Sequence, residues 1–292
     1  MATTGLVIVD KPAGMTSHDV VGRLRRFAKT RRVGHGGTLD PMATGVLVLG
    51  VERGTKLLTY VIGSRKGYAG TIRLGQSTIT DDAEGDLTAE TPAGGVSDED
   101  IRAGLAKLTG PIQQVPTAVS AIKVNGVRSY AKVRAGEEVE LAARPVTVYR
   151  LDVGEIRRSP GLVDVDVEVE CSSGTYIRAI ARDLGADLGV GGHLTALRRT
   201  AVGGFTLAEA RTLAELEELA DPVTIDLNTA AERLFRRRDL DAGQAKVISH
   251  GGPIDAAGIV GPYAVFGPEG DVLAIMVEQG KKAKPELVLK PA

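Results

Sequence analysis

The chain has 292 residues, a formal net charge of −1 and a hydrophobic fraction of 43%. That length predicts one large domain or two unequal ones, with an aliphatic core because aromatic residues make up only 3%. The single cysteine, Cys171, excludes an internal disulfide and a cysteine-based metal cluster. No apolar run is long enough to span a membrane, and the N-terminus lacks the basic region of a signal peptide, so we expect a cytoplasmic protein.

Hydrophobic periodicity predicts an alternation of strands and helices up to about residue 220. Strict alternation of apolar and polar residues indicates a strand, as in LVDVDVEVE. Apolar residues three or four positions apart indicate a helix, as in SDEDIRAGLAKLTG, and this segment also opens with a capping box. In chain order, the predicted elements are strand 5–11, a helix from Thr16 or Ser17 to Ala28, strand 44–50, a short helix near 52–62, strand 67–75, helix 97–110, strand 162–170, helix 175–189 and a surface helix at 206–220.

The composition changes after about residue 230. Short apolar segments alternate with glycine turns, which is typical of a small β-rich unit. Its predicted strands lie in AKVISHGGPI, YAVFG, DVLAIMVE and PELVLK. We therefore expect one unit at 1–225 and a second at 226–292. Residues 110–145 are long, basic and weakly patterned, which predicts a functional loop within the first unit.

Positive charge is concentrated in short runs. Residues 23–32 contain several lysines and arginines and no acid, and further basic runs occupy 233–238 and 281–284. A nearly neutral chain with segregated charge can present a basic face to nucleic acid. A solvated helix face explains each run taken singly, so the charge pattern alone leaves the partner open.

The segment RRVGHGGTLDPMATGVLVLG (31–50) sets one carboxylate, Asp40, just before a predicted buried strand. Pro41 fixes the chain after Asp40, and the preceding glycines let another molecule approach the backbone closely. The segment lacks the spacing of a Walker A loop, a dinucleotide-binding fingerprint or a metal site. Because aspartate before proline also occurs in ordinary turns, Asp40 alone does not establish a site.

Three further side chains strengthen the case for a site. Tyr176 and Arg178 stand at the start of a predicted helix, outside its apolar stripe, and Tyr68 begins a strand. Together with Asp40 they offer an anion that can react, a cation that can orient it and flat rings that can stack on a base.

Several segments between about residues 5 and 207 resemble, in order, the motifs of the TruB family of pseudouridine synthases. GHGGTLDPMATGVL is similar to the family's G-H-x-G-x-L-D-P motif, which carries its catalytic aspartate. The others are VDKPAGMTSHD, KGYAGTIRLG, VPTAVSAIKVNGVRSYAKVRAG, CSSGTYIRAIARDLG and HLTALRRTAVGGF. The C-terminal residues resemble the family's PUA-like RNA-binding domain more faintly.

The resemblance implies an α+β fold, in which a catalytic domain with a mixed, largely antiparallel sheet is flanked by helices and followed by a small β-rich PUA-like domain. The loop at about 110–145 would be the RNA-gripping thumb. The implied activity is isomerisation of uridine to pseudouridine at position 55, in the T arm of tRNA. With tRNA as the partner, we expect no cofactor, no metal, no membrane association, no obligate protein partner and a monomer.

The resemblance also assigns roles to individual residues. It implies that Asp40 is the catalytic aspartate, that Tyr68 stacks on the target base and that Arg178 pairs with Asp40. Tyr176 and Leu197 would line the pocket. The other residues expected to bind the substrate or to support its site are His35, Lys11, Pro12, Gly36 and Thr38.

The proposed chemistry breaks the N1–C1′ bond and rejoins the base through C5, without a redox change. Asp40 can act as a nucleophile or remove the 2′ proton, and the sequence leaves both open. Both routes need an ionised carboxylate, and we expect Arg178 to lower the pKa of Asp40 below its ordinary value near 4. Flipping the uridine out costs a few kcal/mol, of which stacking on Tyr68 returns about 1–3 kcal/mol.

Contacts with phosphates should supply most of the RNA affinity, which would then fall steeply with added salt. We expect the donors to lie in the first basic run, in the thumb and among the C-terminal lysines. In the first two regions they are Arg23, Arg26, Lys29, Arg31, Lys123, Arg128 and Lys132.

Two other functions fit parts of the sequence. A non-catalytic tRNA-binding or folding module would need only the basic runs and the small β-rich unit, with Asp40 in a structural role. An aspartyl phosphotransferase would need a phosphate loop or a cluster of metal-binding carboxylates, which the motifs lack.

Overall fold

A computed structural model describes residues 3–119, 123–124, 127–128 and 141–291. The helices are α1 (Ser17–Phe27), α2 (Leu58–Gly63), α3 (Asp98–Lys107), α4 (Ile177–Asp187), α5 (Leu213–Glu218), α6 (Leu227–Leu234) and α7 (Ala242–Ser249), with 3-10 turns at Glu52–Leu57 and Leu207–Glu209. The strands are β1 (Gly5–Lys11), β2 (Val33–His35), β3 (Thr44–Val51), β4 (Lys66–Leu74), β5 (Gln76–Thr78), β6 (Leu87–Glu90), β7 (Gly110–Gln114), β8 (Lys123–Val124), β9 (Val127–Arg128), β10 (Arg144–Ser159), β11 (Leu162–Cys171), β12 (Gly192–Val202), β13 (Phe205–Thr206), β14 (Ile225–Asp226), β15 (Arg236–Asp239), β16 (Ile254–Asp255), β17 (Tyr263–Phe266), β18 (Val272–Gln279) and β19 (Lys282–Val288). No helix in these described ranges is long and apolar enough to cross a membrane.

A ten-stranded sheet forms the body of the molecule, with the strand order β14-β1-β3-β12-β4-β11-β10-β7 and with β2 and β13 added beside β3 and β12. Its pairs are antiparallel except for β3 beside β12, which confirms the mixed, largely antiparallel sheet of the predicted α+β fold. In this order β4 begins where β11 ends, and the start of β3 lies beside the second half of β12. The topology therefore brings together four chain segments that are distant in sequence.

The two faces of this sheet pack against different partners. The front core contains the alternating valines of β11 and the apolar stripes of α1, α3 and α4. The back core joins Leu6 of β1 and Val48 of β3 to the C-terminal sheet through Phe266 and Ile275. That second sheet has the order β15-β17-β18-β19-β16, so the chain ends in a strand-rich unit.

Two predicted elements are wrong in the structure. The surface helix predicted at 206–220 is split into a 3-10 turn and α5, because Thr206 and Thr212 each cap a separate segment and Arg211 between them hydrogen-bonds to β1. The first half of AKVISHGGPI, predicted as a strand, instead lies in helix α7, and only its last residue, Ile254, enters a strand, β16. Helix α7 begins after Asp241, whose side chain accepts a hydrogen bond from the Gln244 amide.

Candidate active site

A cleft of about 310 Å³ opens where β4 begins, β11 ends and the loop before β3 passes over β12. The glycine-rich loop, the end of α2 and the turn before α4 form its walls. The predicted site residues that line it are Thr38, Asp40, Tyr68, Tyr176, Arg178 and Leu197. The sheet topology thus gathers into one cleft most of the residues proposed to react with or bind the substrate.

Arg178 fixes the carboxylate of Asp40 inside this cleft. Its Nε lies 3.1 Å from Asp40 Oδ2, and its Nη1 lies 3.2 Å from Oδ2 of a second carboxylate, Asp82. The guanidinium also donates to the backbone oxygens of Thr80 and Val119, at 2.7 and 3.0 Å. Because Arg178 is 5% exposed and held on every side, it gives Asp40 a fixed direction.

The expectation that Arg178 would leave Asp40 with a lowered pKa is wrong. Burial in the cleft raises the pKa of Asp40 above its ordinary value, and although Arg178 lowers it, the nearby carboxylate of Asp82 raises it further. The side chain of Asp40 is 36% exposed, so water still reaches the carboxylate. The arginine therefore limits the effect of burial on the pKa without overcoming it.

The N-terminal segment holds both neighbours of Asp40. The hydroxyl of Ser17, at the start of α1, accepts a hydrogen bond from the Leu39 amide at 2.9 Å and lies 3.2 Å from the Leu39 oxygen. The buried ammonium of Lys11 donates to the backbone oxygens of Pro41, Met15 and Pro12. This explains physically why VDKPAGMTSHD accompanies the aspartate motif: its residues fix the loop on which Asp40 stands.

Tyr68 and Leu197 form part of the cleft floor, and each is 8% exposed. Burial raises the pKa of Tyr68, so its hydroxyl is protonated at neutral pH. Gly70, the next residue of β4 on the same face, pairs with Leu197 and adds no side chain. Tyr68 and Leu197 thus give the cleft an aromatic ring and an aliphatic side chain against which a planar base can pack.

A buried glutamine holds the turn that carries Tyr176 and Arg178. The side chain of Gln114, on β7, accepts a hydrogen bond from the Tyr176 amide at 2.8 Å and donates to the Tyr176 oxygen at 3.1 Å. Both backbone hydrogen-bonding groups of Tyr176 are therefore fixed just before α4 begins. The ring of Tyr176 is half-buried at the cleft wall.

The other predicted substrate-binding residues lie outside the residues that line the cleft. Gly36 packs against Val61 of α2, where a Cβ atom would come within 2.6 Å of Val61 Cγ1. Pro12 is exposed, next to Lys11 in the supporting segment. His35 contacts the His18 ring edge-on, and burial lowers its pKa; its buried Nδ1 has no hydrogen-bond partner within the described ranges.

The residues predicted to contact the RNA backbone fall into two groups. Those of α1 and the turn after it are exposed, and none forms an ion pair with a carboxylate of the described residues: Arg23, Arg26, Lys29 and Arg31. In the thumb segment, Lys123 and Arg128 lie in the paired strands β8 and β9, whereas Lys132 lies outside the described residues.

Sequence reasoning missed four polar residues of this region. Asp82 and Gln114 support the site, and Lys66 and Arg199 line the cleft. Asp82 stands in an acidic run that resembles a solvated loop, and Gln114 stands in an irregular stretch. For the other two, their position in a motif was a signal. Lys66 opens KGYAG two residues before Tyr68, and so lies on the same face of β4. Arg199 stands in LRRT two residues after Leu197, and so lies on the same face of β12.

Comparison with known proteins identifies the family. A model described as "TruB family pseudouridylate synthase (N terminal domain)" matches residues 25–177. The chain belongs to the TruB family of pseudouridine synthases. Two TruB C-terminal models match the remainder: "tRNA pseudouridylate synthase B C-terminal domain" at 178–237 and "tRNA Pseudouridine synthase II, C terminal" at 235–290.

TruB proteins of known name are similar over nearly the whole chain. The tRNA pseudouridine synthase B of Paenarthrobacter aurescens is 58% identical over 99% of this chain and 96% of its own length. That of Rhodococcus jostii is 58% identical over 99% and 94%. Among solved structures, a chain of a Cbf5–Nop10–Gar1 complex matches with a TM-score of 0.76 and 24% identity, over 98% of this chain and 85% of that one, which shows a common fold.

Proposed function

We propose that this TruB chain is an isomerase that converts uridine to pseudouridine at position 55, in the T arm of tRNA. The observation that carries the proposal is the ion pair between Asp40 and the buried Arg178, inside a cleft that also holds Tyr68. Relatives at 58% identity bear the name tRNA pseudouridine synthase B, which favours an isomerase over a binding module without activity.

In the proposed reaction the target uridine leaves its stack and its base lies against Tyr68 and Leu197. The ionised Asp40 then attacks the ribose or removes its 2′ proton, and Arg178 keeps the reacting oxygen in place in both routes. The N1–C1′ bond breaks and leaves its electron pair on the base, the base turns within the cleft, and C5 bonds to C1′ as Asp40 either leaves C1′ or returns the proton to C2′. The proton on C5 is then lost to a base and N1 takes up a proton, which restores the conjugated ring. No step changes the oxidation state of the substrate, so the proposal requires no redox cofactor.

We further propose how the chain is organised around this site. Residues 1–225 would form the catalytic domain, with the thumb at about 110–145, and residues 226–292 a PUA-like domain that contacts RNA. The enzyme would act as a cytoplasmic monomer on tRNA without an obligate protein partner. His35, Lys11, Pro12 and Gly36 would act by supporting the loop that receives the base.

The test replaces the reacting carboxylate by an amide of the same shape. Asp40→Asn should reduce pseudouridine formation in a T-arm stem-loop by at least about 10³-fold, because the amide can neither attack nor accept the proton. Pseudouridine is mapped by position in the RNA after incubation, and RNA affinity is measured on the same preparations. We expect the affinity to be retained.

The matched control is Asp187→Asn, which makes the same change on the surface of α4, where Asp187 pairs with Lys107. It should modify the stem-loop at the wild-type rate. Modification at position 55 that persists in Asp40→Asn would refute the role of Asp40, and a wild-type chain that binds the RNA without modifying it would favour the non-catalytic binding module.

A further inference from the structure

Two cationic side chains of the cleft have no carboxylate partner within the described part of the chain. Lys66 stands two residues before Tyr68 on the same face of β4. Arg199, on β12, is the residue directly opposite Tyr68 in the sheet. Both line the cleft, and they are 8% and 1% exposed. Their arrangement therefore differs from that of Arg178, whose charge is balanced by two carboxylates.

Backbone oxygens hold both cations in place. Arg199 donates to the oxygens of Val46, Gly37 and Thr38 at 2.7, 3.1 and 3.3 Å. Lys66 donates to the oxygens of Ile62 and Ser64 at 2.8 and 3.0 Å. These contacts fix the position of each cation, but neutral carbonyl groups do not cancel its charge.

Counted over the described residues, each cation keeps capacity for one more hydrogen bond. A guanidinium has five N–H groups and an ammonium has three. The backbone contacts use three of those of Arg199 and two of those of Lys66, and Tyr68 takes a further one from Arg199. The two side chains lie close together, because a single point beside Gly37 is 3.7 Å from both Arg199 Nη1 and Lys66 Cε. The cleft thus contains a built site for a small anion.

We infer that Lys66 and Arg199 bind the detached uracil as an anion. When the N1–C1′ bond breaks, its electron pair stays on the base and spreads from N1 onto O2 and O4, whether Asp40 forms a bond to C1′ or takes the 2′ proton. A planar anion formed inside the cleft meets these cations, whereas an RNA phosphate at the surface would meet exposed donors such as those of α1. This inference rests on the proposed function and adds the group that receives the negative charge.

The site also explains how the base is retained while it turns. O2 and O4 lie on either side of N3. A half-turn of the base about its N3–C6 axis replaces N1 by C5 at the ribose and exchanges the positions of O2 and O4. Two donors with free N–H groups can therefore hold the anion before and after the turn. Preorganised charges that meet a developing anion are a usual source of large rate effects.

The decisive experiment varies the leaving group. Fluorine at C5 stabilises the anion of the base, so a 5-fluorouridine substrate depends less on the protein's cations than a uridine substrate does. Lys66→Met should slow single-turnover cleavage of the N1–C1′ bond in a uridine T-arm stem-loop by about 10²-fold. In the 5-fluorouridine stem-loop the loss should be about tenfold smaller.

Three control measurements show whether the slower cleavage comes from the lost charge of Lys66. Lys66→Arg retains the charge and should recover part of the rate on uridine. Lys56→Met, which changes an exposed lysine of the 3-10 turn before α2, should cleave both RNAs at wild-type rates. Affinity of Lys66→Met for the stem-loop should stay within about twofold of wild type, because the site acts only after the bond breaks.

An equal loss on the two RNAs would overturn the inference, and so would a loss confined to RNA affinity, which would mark Lys66 as a phosphate contact. Both results leave the proposed function intact, since the wild-type chain would still form pseudouridine. A wild-type chain inactive on the uridine stem-loop would instead overturn the proposed function and this inference with it.

Discussion

One arginine of the site, Arg178, holds two carboxylates close together. Arg178 lies between Asp40 and Asp82, and burial raises the pKa of Asp40 in spite of the adjacent guanidinium. Such an arrangement fixes the reacting oxygen, but partial burial still disfavours its charged form. The protein therefore maintains Asp40 for reactivity at some expense of folded-state stability.

The upward direction of the pKa shift of Asp40 can be tested by measuring unfolding at several pH values. Because the folded-state pKa of Asp40 is raised, the folded chain binds the proton more tightly than the unfolded chain, and stability falls as pH rises from the unfolded pKa through the folded one. At pH 7 Asp40→Asn should melt at or above the wild-type temperature, and the difference should shrink as the pH is lowered toward 4. Melting curves at several pH values measure it.

Arg178 is not left without a partner in this variant, because Asp82 still neutralises it. The control Asp187→Asn should change the melting temperature little at any pH, since exposed ion pairs contribute little to stability. If Asp40→Asn melts at pH 7 clearly below both the wild type and Asp187→Asn, the Asp40–Arg178 pair stabilises the fold and the prediction is wrong.

At the scale of elements, the start of α1 and the loop before β3 behave as one unit. The hydroxyl of Ser17 satisfies the backbone of Leu39, next to the reacting aspartate, and Ser17 is 3% exposed. Thr16 caps the same helix with a capping box. The orientation of Asp40 therefore depends on where a distant helix begins.

Ser17→Ala tests this dependence. Removing the hydroxyl leaves the buried amide of Leu39 without its partner, which should lower the free energy of unfolding by about 1–3 kcal/mol. Pseudouridine formation should fall as well, with RNA affinity little changed, because the loop that carries Asp40 loosens. Urea unfolding and single-turnover rates measure the two effects.

The matched variant Ser159→Ala removes an exposed hydroxyl at the end of β10 and should alter neither quantity. Unchanged activity in a destabilised Ser17→Ala chain would separate the stability of α1 from the position of Asp40 and would contradict the dependence.

The sequence predicted well those elements whose signal is local. The alternation in β11 and the capping box of α3 each determine an element regardless of its neighbours. The split near residue 210 depends instead on pairing of Arg211 with β1, which periodicity does not reveal. Likewise Asp40, Tyr68 and Arg178 stood in specific motifs, whereas Asp82 and Gln114 acquire their roles only through contacts across the fold.

For the whole molecule, charge is unevenly distributed over a nearly neutral surface. The exposed cations of α1 and the turn after it lie on the element that supports the Asp40 loop. If RNA binds along these cations, they contact its phosphates. Binding should therefore depend on salt through this surface, despite a net charge of −1.

The double variant Arg23→Gln with Arg26→Gln tests this surface. If both side chains contact phosphates, the slope of log affinity against log salt should decrease in magnitude by about 2 for a base-paired stem. Arg102→Gln with Lys107→Gln, which also removes two positive charges but from α3, should leave the slope unchanged. Equal slopes for wild type and the α1 variant would assign the phosphate contacts to another surface.

The position of β3 between two cores has a further consequence. Its Leu47 and Leu49 pack into the front core, and its Val46 and Val48 belong to the back core, which also contains Phe266 and Ile275 of the C-terminal unit. The strand that leads away from the reacting carboxylate is thus braced from behind by the part of the chain that would otherwise be regarded as an RNA-binding attachment. A cavity made at Phe266 would weaken the back core to which Val46 and Val48 of β3 belong, so inactivity caused there would imitate a lost tRNA contact unless thermal stability were followed in parallel.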